Sequence, residues 1–287
     1  MTAKSQKHWT KNVRDLLRVG RGFQLSKVDP DATPGYGRSK KHAADDLIAG
    51  SGELDELQER LYAQSRVDAT QTSVLLVLQA MDTAGKGGIL RHVVGSVDPQ
   101  GIELAAFKKP TPEELEHDFL WRVRKRLPEP GIIGVFDRSH YEDVLIGRVR
   151  ELAPADEIER RYGAINEFEK EVVDGGTRIV KVMLHISADE QKSRLMERLD
   201  RPDKHWKYNP GDVDERKLWP DYMAAYQTVF ERTSTDWAPW HVVPANRKWY
   251  ARLAVQYLLL DVLDDIDPHW PAADYDIAAE KARLAAT

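Results

Sequence analysis

The sequence predicts an α/β fold: a parallel sheet with helices on both faces. Three observations predict it. Continuous apolar runs recur at 73–79, 132–136, 179–186 and 241–243, with a weaker one at 102–107. Runs without polar alternation suit strands buried on both faces. Amphipathic stretches at 88–96, 112–127, 154–173, 188–201, 213–232 and 247–264 lie between and after them, the alternation of parallel βαβ units. Finally, the first apolar run leads straight into a glycine-rich turn.

Taken in order, residues 1–50 are basic and irregular. Ten Lys/Arg stand against four Asp/Glu up to residue 45, and a loop-like centre spans 29–37. This segment is expected to be a partly ordered extension, with one domain over 51–287. Leu54, Leu57, Leu61 and Tyr62 recur at helical spacing, which predicts a helix over 53–65. No internal repeat or Gly/Ser linker divides the rest.

Composition excludes several functions. Hydrophobic residues make up 41% of the 287 and charged residues 31%, which is globular. The absence of cysteine removes disulfide scaffolds, thiolate metal sites and thiol nucleophiles. No window of 18 apolar residues exists to span a membrane, and the start has no apolar run of a secretory signal, so a cytoplasmic protein is expected. The net charge of −5 argues against a general nucleic-acid binder. It is unevenly spread, however: residues 191–210 hold six bases against three acids, and 261–287 hold seven acids against two bases. A basic groove on an acidic protein is therefore allowed.

The turn after the first run reads Ala80-Met81-Asp82-Thr83-Ala84-Gly85-Lys86-Gly87-Gly88. A strand, a glycine-rich turn and a helix aim backbone N–H groups of Ala84, Gly85, Gly87 and Gly88 at an anion. Lys86 stands where a Walker A lysine reaches phosphate. The strict pattern ends in Ser or Thr, whose hydroxyl ligates magnesium; here Gly87 follows the lysine. Asp82 is the candidate replacement, a hard oxygen ligand. The run 132–136 ends at Asp137, as in a Walker B strand, and Arg138 follows as a fork-shaped phosphate donor. Ligands of an open parallel sheet bind beyond the carboxyl ends of its strands, so Asp82 and Asp137 could share one metal ion. Arg194, Arg198 and Arg201 fall on one helical face, followed by Lys204, Trp206 and Lys207; a lid is expected over about 194–215. Solvated pairs with Glu190 and Glu197 are the bland account of these arginines.

His140 is expected to be structural, Ser139 sits in no nucleophile elbow, and Trp237 and Trp240 are expected in the core. Arg148, Arg150 and the bases of the extension would continue a basic channel.

Together these stretches resemble the polyphosphate kinase 2 family. The motifs are Met81 to Gly88, Phe107-Lys108-Lys109-Pro110-Thr111, His117 to Arg122, Phe136 to Asp143, Arg198 to Lys207, and Thr235 to Trp240. The resemblance covers about 50–265. It implies a P-loop kinase-like three-layer fold with a helical lid. It implies phosphoryl transfer between inorganic polyphosphate and adenine nucleotides, with guanine nucleotides also considered, supported by magnesium or alternatively manganese. Asp82 and Asp137 would hold metal. Lys86, Arg138 and the lid residues Arg194, Arg198, Arg201, Lys204 and Lys207 would bind phosphates. Arg122, Asn246 and Arg247 look like further site residues, and a homo-oligomer is expected. The Tyr141-Glu142-Asp143 sequence resembles members accepting both AMP and ADP, making Glu142 a site candidate; those members often carry Asn where Asp137 stands. The rival readings are an ATP-dependent nucleoside or nucleotide kinase of this fold, and a non-catalytic phosphate-binding module.

Overall fold

The computed structural model describes residues 8–287. Five strands form one all-parallel sheet: β1 Ser73–Ala80, β2 Ile102–Ala106, β3 Ile133–Asp137, β4 Thr177–His185 and β5 Trp240–Pro244. Their order is β2-β3-β1-β4-β5. After β1 the chain builds one half of the sheet, then crosses to build the other. The reversal puts a crevice at the carboxyl end of β1. Register confirms that β1 and β3 finish side by side, Leu78 opposite Asp137.

The central strand explains the two-layered core. Val74, Leu76 and Leu78 face one side and Leu75 and Val77 the other, all at or below 1% exposure. On the first side lie α1 (Val13–Leu17), α2 (Ala43–Ser65), α3 (Lys86–His92) and, further along the chain, α11 (Lys248–Ile266). The short α4 (Pro112–Leu115), α5 (Trp121–Arg124) and α6 (Ile146–Val149) precede α7 (Ala155–Asp174), α8 (Ala188–Asp200), α9 (Gly211–Lys217) and α10 (Trp219–Thr233). Helices α7 and α10 cover the second side. In α7 the apolar residues Ile158, Tyr162, Ile165, Phe168 and Val172 recur every three or four positions, one buried stripe. Helix α11 (Lys248–Ile266) is buried almost all round because it lies between the sheet, α1 and α2; α12 (Ile277–Ala285) buries nothing. Among the described residues no helix is long and apolar enough to cross a membrane.

Three expectations need correction. The helix expected over 53–65 starts ten residues earlier, so the boundary at 50 falls inside α2. The expected helix over 112–127 is two short turns; the first is closed by a capping box of Thr111 and Glu114. The expected helix over 213–232 breaks at Leu218, where Pro220 enters the first turn of α10.

The extension is tightly docked, at least from residue 8. Val13 and Leu17 pack beside α11, Val19 N–H donates to Trp240 O at 2.8 Å, and Asn246 N–H donates to Pro30 O at 3.1 Å. Trp240 is fully buried as expected, but Trp237 is 41% exposed.

Candidate active site

The glycine-rich turn departs from β1 in a conformation ordinary residues resist. Thr83 has φ of 63° and Gly85 φ of 121°, the second accessible only to glycine at low cost. Gly88 N–H closes on Gly85 O at 2.8 Å as α3 begins at Lys86. Beside it, the turn after β3 puts Arg138 at φ of 64°.

These turns border a cavity of about 610 Å³. Its wall holds ten basic residues: Lys86, Lys108, Arg138, Arg194, Arg198, Arg201, Lys204, Lys207, Lys248 and Arg252. The wall holds three acids, Asp82, Asp137 and Glu197. On a chain of net charge −5, so lopsided a wall concentrates positive potential where it attracts an extended polyanion. The structure thus brings together Asp82, Ala84, Gly85, Lys86, Gly87, Gly88, Asp137 and Arg138 with Arg198, Arg201, Lys204 and Lys207 from α8 and the turn that follows it.

Local electrostatics are unbalanced. Lys86 is held below its usual range by burial, against the pull of Asp137, whose Oδ1 lies 3.9 Å from Nζ. That oxygen is buried and has no hydrogen-bond partner. Asp82 receives Arg198 from α8, at 2.8 Å (Nη1 to Oδ2). Asp212 of α9 lies 3.5 Å from the same Nη1, and its carboxyl is pushed up by burial and then by Asp82.

The donor chemistry fits a divalent ion. Two carboxylates of the cavity wall are hard ligands, one with an unsatisfied oxygen, and phosphate and water oxygens would complete an octahedron. Among the described residues no group of three or more His, Asp or Glu side chains could hold an ion unaided, so the pair needs those other oxygens. Arg198 would have to share or release Asp82.

Four predicted site residues stand outside the cavity wall, and a fifth, Arg194, lines it with its donors already engaged. Arg194 borders the cavity, but all its N–H donors are spent: Nη1 on Thr83 O and Ala84 O, Nη2 on Ala245 O and Asn246 O, and Nε on Glu190 Oε1, at 2.7–2.9 Å. It braces the loop, with every N–H engaged by protein acceptors. Asn246 ties segments together, its amide donating to Asp31 Oδ2 at 2.9 Å and accepting from Ser187 N at 3.0 Å. Arg247 is half exposed, 3.9 Å from Asp31. Arg122 is buried beneath the cavity rim and donates to Lys108 O at 2.9 Å. Glu142 sits behind Arg138, its carboxyl raised by burial and lowered by Arg138 and Lys86. With the Gln79 amide oxygen toward Ser139 N, the Gln79 nitrogen donates to Glu142 Oε1 at 2.9 Å. None of Arg122, Glu142, Asn246 and Arg247 lines the cavity.

The extended channel also contracts. Arg148 meets Tyr162 OH and Arg150 pairs with Glu215, while Arg14, Arg18 and Arg38 pair with Asp261 and Asp265, Asp236, and Asp46. Residues 1–7, including Lys4 and Lys7, lie outside the described residues. Sequence reasoning missed Lys248 and Arg252. Their spacing of four on α11 puts them on one helical face, a signal that the apolar character of the helix obscured.

The chain matches the sequence profile of the family described as Polyphosphate kinase 2 over residues 39–270. A relative from Meiothermus ruber named AMP/ADP-polyphosphate phosphotransferase is 44% identical, over 90% of this chain and 94% of its own. One from Rhodopseudomonas palustris named ADP-polyphosphate phosphotransferase is 41% identical, over 89% and 91%. The crystal structure of Polyphosphate Kinase 2 from Arthrobacter aurescens superposes with a TM-score of 0.95 at 58% identity, covering 97% of this chain and 98% of that one.

Proposed function

The chain belongs to the polyphosphate kinase 2 family, and on that premise we propose that it moves phosphoryl groups between inorganic polyphosphate and AMP or ADP, with magnesium. The observation that carries this reading is the cavity wall: ten bases around a phosphate loop that lacks the usual hydroxyl but holds two carboxylates.

Phosphoryl transfer asks a protein mainly to position reactants and neutralise charge. A terminal phosphate oxygen of the nucleotide attacks the terminal phosphorus of polyphosphate. The bond to the bridging oxygen breaks, and the polymer leaves one phosphate shorter. Lys86 and Arg138 face the donor phosphates, and the loop N–H groups hold their equatorial oxygens. Arg198, Arg201, Lys204, Lys207, Lys248 and Arg252 hold the polymer beyond the transferred group. Asp82 and Asp137 would hold the ion, which supplies further neutralisation of phosphate charge. The nucleophile is already ionised at neutral pH, so no base is assigned.

Incubation with polyphosphate, Mg²⁺ and either AMP or ADP, followed by separation of the nucleotides, tests the reading. ADP from AMP and ATP from ADP are expected, abolished by EDTA and restored by Mg²⁺. Phosphorylation with ATP as donor but not with polyphosphate would replace this reading by the nucleotide kinase of the same fold.

A further inference from the structure

Beneath the turn that carries Arg138 lies an ionic group sealed from solvent. Lys181 of β4 and Glu169 of α7 are 0% and 1% exposed. The Lys181 ammonium has three donors, and each is used: on Glu169 Oε2, on Tyr141 OH at 2.9 Å and on Thr233 O at 2.8 Å. Tyr141 OH in turn donates to Glu169 Oε1 at 2.7 Å, and His140 Nε2 lies 3.3 Å from that same oxygen. Tyr141 therefore joins the charged pair to the segment that follows Arg138.

Two features say what the joint is for. Burying an ion pair rarely stabilises a fold more than well-packed apolar residues of the same size would; stability alone does not account for it. The turn above it, by contrast, needs holding. Arg138 adopts the left-handed conformation that residues with a side chain avoid. Such geometry persists only where the surroundings over-determine it. Before the turn, Arg138 N–H is held on Leu78 O at 3.0 Å. Beyond it, Ser139 Oγ accepts from Tyr141 N at 3.2 Å, and the Tyr141 ring is pinned by Lys181 and Glu169. Hydrogen bonds fix direction and distance, which apolar packing does not.

We propose that the sealed Lys181–Glu169–Tyr141 triad is a positioning device for phosphoryl transfer, fixing the turn that presents Arg138 to the donor phosphate. It rests on the role given to Arg138 above and adds residues that touch no substrate.

The test compares turnover and thermal stability in Tyr141→Phe and in Lys181→Met/Glu169→Leu/Tyr141→Phe, which removes every charge at once. The triple variant is expected to melt near the wild-type temperature and Tyr141→Phe below it, since buried Lys181 and Glu169 each lose a partner; both are expected to lose turnover by roughly tenfold to a hundredfold, as a small misplacement of a reacting group does. Tyr141→Phe is also combined with Arg138→Lys. If the hydroxyl acts through Arg138, the double variant loses clearly less than the product of the single losses. Wild-type turnover in a folded triple variant, or fully multiplicative losses in the cycle, would overturn the proposal. If the triple variant does not fold, the cycle decides. Arg138→Ala alone reports on the site: normal turnover there sinks the reading of Arg138, whatever the triad does.

Discussion

Two lysine–carboxylate pairs lie in adjoining layers of this molecule, and they are built on opposite rules. In the core, Lys181 and Glu169 have every donor and acceptor answered within the protein. At the cavity, Lys86 stands 3.9 Å from Asp137, beyond hydrogen-bond reach, and the facing carboxylate oxygen has no partner. Buried polar groups are nearly always satisfied, so a deficit sitting in a ring of cations calls for an outside ligand. Here the satisfied pair belongs to the core and the unsatisfied one borders the cavity. The same contrast separates Arg194, with five protein acceptors, from Arg201, whose contacts are exposed ion pairs.

The largest expected effect breaks one pair at a time. Lys181→Ala leaves Glu169 charged and alone in the core and should cost about 3–5 kcal/mol of stability. Lys86→Ala removes a partly desolvated charge; it should leave the melting temperature unchanged or higher while turnover falls by roughly two to three orders of magnitude. Denaturant unfolding and initial rates on both variants check this, and equal stability losses would erase the distinction.

Next comes the arginine contrast. Arg194→Lys cannot serve five acceptors and should lose about 2 kcal/mol or more, given the worth of charged hydrogen bonds. Turnover should fall with it as the loop relaxes. Arg201→Lys should melt like the wild type and act mainly on the KM for polyphosphate and its dependence on salt, measured between low and moderate ionic strength.

The effect that is smallest at neutral pH comes last, and it concerns pH itself. Burial holds the imidazoles of His185 and His241 neutral, down to about 4 from an ordinary 6.5. Between those values the unfolded chain binds more protons than the folded one, so stability falls as pH drops from 6.5 towards 4 and levels off below. Each group should contribute up to about 1.4 kcal/mol per pH unit in that window. Replacing both by Asn should flatten the slope of unfolding free energy against pH; an unchanged slope would exclude them as its source.

Much of this was legible in the sequence. Four strands are buried, mostly apolar runs and the part-exposed edge strand β2 is a weaker one, so all five were visible, each to within two residues at either end. Asp82, Lys86, Asp137 and Arg138 could be placed at the crevice because strand ends in a parallel sheet share an edge. What spacing could not give is the direction of a long side chain within a shared face. Arg194 and Arg198 are one helical turn apart, yet one braces carbonyls and the other meets Asp82. The docked extension was illegible for a related reason. Its anchors Val13, Leu17, Leu25 and Tyr36 are scattered through charged sequence, and only the core layers they pack into, Leu25 on the opposite face from the others, identify them.

That docking reaches further than its distance from the crevice suggests. Pro30 O and Asp31 hold Asn246; the carbonyls of Ala245 and Asn246 hold Arg194; and Arg194 holds Thr83 and Ala84 in the phosphate loop. A chain shortened past residue 31 would cut this tether at its far end. The wild-type cations would remain, all still present in number, around a loop no longer pulled taut.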